Sequence, residues 1–198
     1  AYVKISDGCD NRCTYCAIPL IRGGFRSRDI EDVLEEIRTL AAQGVREHVL
    51  VAQDTTVYGQ DLYGESRLPQ LLTELCKIED LRWIRLLYCY PEHITDDLLA
   101  VMAREEKVVN YMDIPLQHAS GAVLKRMHRP GNRESLTALM ARIRAAVPDI
   151  TLRTTVMVGF PGETEEDFAD TLDIVRKSDF GKVHVFRYST RKGTVGAS

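Results

Sequence analysis

Apolar, β-prone runs alternate along this chain with segments whose apolar residues recur at helical spacing, the pattern of repeated βα units. The first run, Tyr2 to Ile5, leads into a loop rich in cysteine. Ile30, Val33, Leu34, Ile37, Leu40 and Ala41 then fall on one face of a helix, opened by Asp29 with Asp32 three residues on and closed by Gly44. "HVLVA" predicts a second strand, and Leu68, Leu71, Leu72 and Leu75 mark its helix. "WIRLLYCY" predicts a third, with Thr95 capping the helix that follows. "YMDIPL" predicts a fourth, followed by helical patterns from Ser120 and from Asn132 to Ala146. "TLRTTVMVGF" is the fifth, with Thr164 and Asp167 placed to cap a helix through Val175, and "KVHVFRY" is the sixth.

About six βα units are too many for a small doubly wound sheet and too few for a closed eightfold barrel of roughly 250 residues. The predicted fold is therefore α/β, a partial, open TIM-like barrel of parallel strands, in one domain over residues 1–198. In such an arrangement the loops leaving the C-terminal ends of the strands share one face, and ligands bind there. The chemically loaded stretches all sit in those loops: the cysteines after the first strand, "QDTTVYG" after the second, "PLQH" after the fourth and "GFPGET" after the fifth.

A composition of 44% hydrophobic and 28% charged residues supports a sizeable core and excludes a disordered chain. No run approaches the roughly 18 apolar residues of a membrane span, and no signal peptide pattern opens the chain, so a cytoplasmic location without a membrane partner is expected. Both ends fall close to β-prone runs, which leads us to expect a domain excised from a longer protein. The formal net charge of −3 gives no general attraction to phosphate, and no direct nucleic-acid binding is expected. Two basic groups stand out: Arg22, Arg26 and Arg28, and Lys125, Arg126, His128, Arg129 and Arg133. Either could meet an acidic partner or form a solvated, charge-paired face.

Cys9, Cys13 and Cys16 form a CxxxCxxC spacing, with Gly8 allowing a sharp entry turn and Pro19 limiting continuation of the loop as helix. Cys76 and Cys89 lie in apolar surroundings and read as core residues. In a reducing compartment such a cluster points to metal ligation. Zinc would require a fourth ligand such as His93 or His118, in a non-catalytic interaction module. A four-iron cluster normally takes four cysteines, so three leave one iron open for a substrate to complete its coordination.

The CxxxCxxC spacing, with Tyr15 just before the third cysteine, resembles the radical S-adenosylmethionine (SAM) superfamily. Longer stretches, "KISDGCDNRCTYCAIPLIRG", "AQDTTVYG", "LLYCYPEHIT", "MDIPLQHAS", "RTTVMVGFPGETEEDF" and "FRYSTRKGT", resemble the central domain of the methylthiotransferases. Within that family "QDTTVYG" and "DIPLQHAS" resemble the branch that modifies an aspartate of ribosomal small-subunit protein twelve; the alternative is the sister branch, which modifies adenosine in transfer RNA. The resemblance implies a [4Fe-4S] cluster on Cys9, Cys13 and Cys16, with SAM chelating the open iron and yielding a 5′-deoxyadenosyl radical. It also implies a reductant such as flavodoxin or ferredoxin.

By position, the resemblance assigns Tyr15 to the cofactor site and Gln53, Asp54 and Thr55 to the methionine amino group, although the usual Gly-Gly-Glu is absent. It assigns Gln117 to the ribose hydroxyls, Arg153 to the methionine carboxylate, and Val158, Gly159, Phe186 and Tyr188 to the adenine. Structural readings stand beside these: Gln117 as a helix cap, Arg153 as partner of a carboxylate, Phe186 and Tyr188 as core or wall. The family also carries a second [4Fe-4S] cluster on three cysteines of an N-terminal domain, and a C-terminal substrate-binding domain. Cys76 and Cys89 do not match those ligands, so residues 1–198 are expected to be the radical core alone.

Overall fold

The computed structural model describes residues 1–197. In chain order the strands are β1 (Tyr2–Lys4), β2 (Ser6–Asp7), β3 (Arg26–Ser27), β4 (Glu47–Val51), β5 (Trp83–Leu86), β6 (Val108–Gln117), β7 (Thr151–Val158) and β8 (Lys182–Arg187). The helices are α1 (Ile18–Arg22), α2 (Ile30–Ala42), α3 (Gln60–Tyr63), α4 (Leu68–Cys76), α5 (Asp96–Arg104), α6 (Gly121–Arg126), α7 (Arg133–Ala146) and α8 (Glu165–Lys177).

Six strands form one sheet in the order β1-β4-β5-β6-β7-β8, every neighbouring pair parallel. The spatial order follows the chain order, so the sheet is wound in one direction, and it stays open because β1 and β8 do not pair. This is the partial barrel expected from the sequence. Val3, Leu50, Ile84, Leu86, Met112, Ile114 and Leu152 of the sheet pack against Val33, Ile37, Leu71, Leu75, Leu98 and Ile143 of the helices, in one continuous buried core.

The helix starts follow their sequence signals. Asp29 accepts a hydrogen bond from the Glu31 amide, Thr95 from Leu98 and Ser120 from Val123. Asn132 with Ser135, and Thr164 with Asp167, form reciprocal capping boxes.

Among the departures from the expectation, β6 begins at Val108 and runs through Gln117, taking in residues read as loop. The third predicted strand stops at Leu86. Beyond it Tyr88 turns to a left-handed φ of 59°, and its amide donates to the Asp113 carboxylate instead of a strand neighbour. Pro19 does not prevent a helix: it sits in the first turn of α1, where its missing N–H would have had no partner. The short antiparallel pair β2–β3 carried no alternating pattern to announce it, yet it clasps the two ends of the cysteine loop.

Candidate functional site

The cysteine loop begins where backbone passes over backbone. Gly8 has φ of 74°, and a Cβ there would lie 2.1 Å from the Gly24 carbonyl oxygen, so only glycine fits. The Cys9 amide donates to the Gly23 carbonyl at 3.2 Å, and the Cys16 amide to that of Cys13 at 3.0 Å. The Ile18 amide points at Cys16 Sγ, 3.5 Å away. Cys9 and Cys13 are buried, Cys16 is half-buried, and all three are free thiols lining one cavity of about 380 Å³. Burial pushes the Cys9 and Cys16 thiols up, and the neighbouring thiols add to the shift. Ligation would therefore have to displace protons, with a cation compensating the thiolates.

Hydrogen bonds tie this loop to the other strand-end loops. Thr14 donates from its amide to the Met127 carbonyl at 3.1 Å and from its hydroxyl to that of Arg126 at 2.8 Å, while its own carbonyl accepts from Gly196 at 2.7 Å. Asn11 donates to Asp54 Oδ2 at 3.0 Å. The second, fourth and sixth βα loops thus converge on the cysteines, and a second cavity of about 340 Å³ between Cys9, Asn11, Phe25, Asp54, Gln60 and His93 continues from the first.

Each expected SAM contact has a definite place. Asp54 is buried, with Oδ2 facing Asn11 and His93 Nδ1, each at 3.0 Å, and Oδ1 accepting from the amide and hydroxyl of Thr56. Thr55 donates its hydroxyl to the Leu87 carbonyl at 2.9 Å, fastening β4's loop to β5's. Both carry structural duties, whereas Gln53 beside them is half-buried. Gln117 ends β6 at φ of 68°, a conformation few side-chain-bearing residues adopt, and it caps no helix because Ser120 does so. Arg153 on β7 pairs with Asp113 at 3.1 Å, as the structural reading had it, yet Asp113 Oδ1 accepts no aligned hydrogen bond. Gly159 has φ of 73° with open space where a Cβ would stand, next to half-buried Val158.

The aromatics divide. Tyr188 packs edge-on to Phe160 at 5.2 Å and donates its hydroxyl to the Gly196 carbonyl, so its side chain is wall. Phe186 is 55% exposed on the open edge of the sheet, beside His184. Tyr15, within the cysteine loop, packs against Val123, Met127 and Phe160. Cys89 is fully buried, with burial pushing its thiol up to about 12, and Cys76 lies against the main core.

Most of the two basic groups is charge-paired: Arg28 with Asp32 and Glu36, Arg133 with Glu134 and Asp170, Arg22 with Asp7 at 4.0 Å. Arg129 departs from the surface reading altogether. It is buried, forked onto Glu92 at 3.0 and 3.2 Å, and its guanidinium carbon lies 4.3 Å from the Tyr90 ring centre. No local pattern in "MHRPG" announces that burial.

The donor set fits a four-iron cluster. Three soft thiols share one cavity, and neither Cys76 nor Cys89 lines it. Among the described residues no three His, Cys, Asp or Glu side chains are arranged to hold a single metal ion, and a cluster spaces its ligands more widely than one ion does. The two histidines considered for zinc are engaged elsewhere, His93 by Asp54 and His118 by Glu163.

The sequence profile of the Radical SAM superfamily matches residues 3–175. The chain belongs to that superfamily. The cofactors of the superfamily are a [4Fe-4S] cluster and SAM, and solved radical SAM enzymes share the fold at low identity. The TsrM methyltransferase from Kitasatospora setae, solved with cobalamin and a [4Fe-4S] cluster, superposes with a TM-score of 0.79 at 18% identity over 99% of this chain and 35% of its own. Methylornithine synthase superposes at 0.67 with 15% identity, over 100% of this chain and 55% of its own.

Among curated relatives, the ribosomal protein uS12 methylthiotransferase RimO of Alkaliphilus oremlandii is 55% identical over 197 residues, covering 100% of this chain and 45% of that protein. RimO of Acetivibrio thermocellus is 56% identical over 194 residues, covering 98% and 43%. This radical SAM chain thus spans less than half the length of the relatives it matches. None of its helices among the described residues is long and apolar enough to cross a membrane.

Proposed function

We propose that residues 1–198 are the radical-generating core of a methylthiotransferase that inserts a methylthio group at the β-carbon of an aspartate in ribosomal protein uS12. The observation that carries this reading is the 55% identity to a RimO protein over 197 residues, 100% of this chain. When bound, the reduced cluster and SAM supply a 5′-deoxyadenosyl radical, which takes a hydrogen atom from a C–H bond that no side-chain base could open.

In this reading Cys9, Cys13 and Cys16 hold three irons of the cluster. Arg153 meets the methionine carboxylate, and Gln53, with backbone of the Asp54–Thr55 loop that Asn11 and His93 brace, meets the amino group. Gln117, which ends β6 with a left-handed backbone, reaches the ribose. The open space at Gly159 lets Val158 and Gly159 present backbone to the adenine, with Phe186 beside it. The open edge at β8 leaves access for a protein substrate. A second cluster on a further domain, a flavodoxin- or ferredoxin-like reductant, a cytoplasmic setting and no direct contact of this domain with nucleic acid complete the proposal.

The test is an assay of the full-length protein with uS12 and with transfer RNA, followed by mass spectrometry. A methylthio adduct on uS12 alone is expected. Thiolation of transfer RNA alone would assign the chain to the sister activity.

A further inference from the structure

Beneath the cysteine loop lies a buried charge that the cofactor contacts proposed above leave unused. The Arg129 guanidinium donates from Nε to Glu92 Oε1 at 3.0 Å and from Nη2 to Glu92 Oε2 at 3.2 Å, while Nη2 also reaches the Pro115 carbonyl at 3.3 Å. Its remaining edge, Nη1, lies 3.5 Å from the Tyr15 hydroxyl, and the Tyr15 hydroxyl in turn neighbours the Cys13 thiol. The Arg129 side chain is only 2% exposed, whereas Glu92 is 18% exposed and opens on a surface groove of about 450 Å³ between Pro91 and Leu139. The ion pair is thus oriented, with its cation toward the cysteines and its anion toward solvent.

An apolar pair could fill this space more cheaply, because desolvating two charges costs several kcal/mol per ion. The apolar cluster of Val123, Met127 and Phe160 next to it shows that the region packs hydrophobically where no charge intervenes. What the cysteine site would gain is positive potential in a low-dielectric setting. Three thiolates on a four-iron core carry net negative charge, and reduction adds one more.

We propose that Arg129 is a positioning residue for the iron–sulfur site: held by Glu92, it fixes the Tyr15 hydroxyl beside Cys13 and sets positive charge below the thiolates, raising the potential at which the cluster accepts an electron. The step concerned is the transfer of one electron from an external donor to the oxidised cluster, with no bond or proton exchanged. The inference rests on the cluster assignment above.

The test is a potentiometric titration of the anaerobically reconstituted full chain, followed by electron paramagnetic resonance, with dithionite as donor. Arg129→Met should lower the ratio of reduced to oxidised cluster at a given potential about tenfold, equivalent to ~59 mV for one electron. Arg129→Lys should fall between that variant and the parent. Glu92→Gln should shift the potential upward, because the same cation is left uncompensated, and Tyr15→Phe should lower it with no change of charge. Should Arg129→Met fail to retain iron, the opposed shifts of Glu92→Gln and Tyr15→Phe still decide the question. A parent chain with a normal cluster and variants of unchanged potential, or Glu92→Gln moving in the same direction as Tyr15→Phe, overturns the role of Arg129 alone. A parent chain that assembles no cluster overturns the cofactor reading beneath it.

Discussion

Asn11 and Asp54 meet at 3.0 Å across 43 positions of sequence, joining the cysteine loop to the loop after β4. Asp54 serves as a hub there, because Asn11, Thr56 and His93 all direct groups at its two oxygens. Asp54→Ala leaves these groups without an acceptor, and hydrogen bonds to a charged group are worth roughly 1.5–3 kcal/mol each. Chemical denaturation should show a loss of at least about 2 kcal/mol, and iron retained after reconstitution should fall although no ligand is altered. Full iron content in Asp54→Ala would show that the hub does not support the cysteine loop.

Gly8 gives a sharper contrast. Gly8→Ala places a Cβ on the Gly24 carbonyl, at 2.1 Å, in a left-handed backbone. Gly44 also has positive φ, 91°, but nothing lies within 4 Å of its Cβ position. Gly44→Ala should cost about 1 kcal/mol, from backbone strain alone. Gly8→Ala should cost more than that and lose most of its iron. Equal iron content in the two variants would contradict the close-approach argument.

Thr154 staples β7 to β6 where their register slips between Ile114 and Gln117. Its hydroxyl donates to the Ile114 carbonyl at 2.7 Å and accepts from the Leu116 amide at 3.4 Å, and it is fully buried. Thr154→Val keeps the shape and removes both bonds, so a loss of about 1–3 kcal/mol is expected by urea denaturation. Thr154→Ser should recover most of it. A neutral Thr154→Val would mean that the irregular ladder needs no side-chain support.

Two histidines give the stability opposite pH slopes. The hydrogen bond to Asp54 raises the pKa of His93 above its ordinary 6.5, against the burial that opposes it. Its stabilisation is therefore complete below 6.5 and fades as pH rises through the higher folded value. His48, buried on β4 with neither ring nitrogen hydrogen-bonded, has its pKa lowered by burial. Its contribution is complete above 6.5 and fades as pH falls through the lower folded value. Denaturation midpoints against pH should lose their alkaline slope in His93→Gln and their acid slope in His48→Gln. The reverse assignment would contradict both environments.

The barrel was legible because each strand is a β-branched or aliphatic run and most helices carry a side-chain cap at their first turn. The cysteine trio was equally plain, since its three members lie within eight positions of one another. What sequence did not reveal depends on distant groups. Tyr88 leaves the strand path because the carboxylate of Asp113, 25 residues on, takes its amide. Asp54 and Thr55 lie in a loop that Asn11, His93 and the Leu87 carbonyl brace, a support no local pattern announces. Arg129 looks like one more surface cation in "LKRMHRPGNR", and only the folded chain brings Glu92, Tyr90 and Tyr15 around it.

The central claim, that Cys9, Cys13 and Cys16 hold a four-iron cluster with one iron open to SAM, is tested most directly by electron paramagnetic resonance of the reconstituted, dithionite-reduced chain before and after SAM is added. A cluster signal whose g values shift on SAM addition, absent from Cys13→Ala and intact in Cys76→Ala, is the predicted result. A signal that ignores SAM, or one that survives Cys13→Ala, would contradict it.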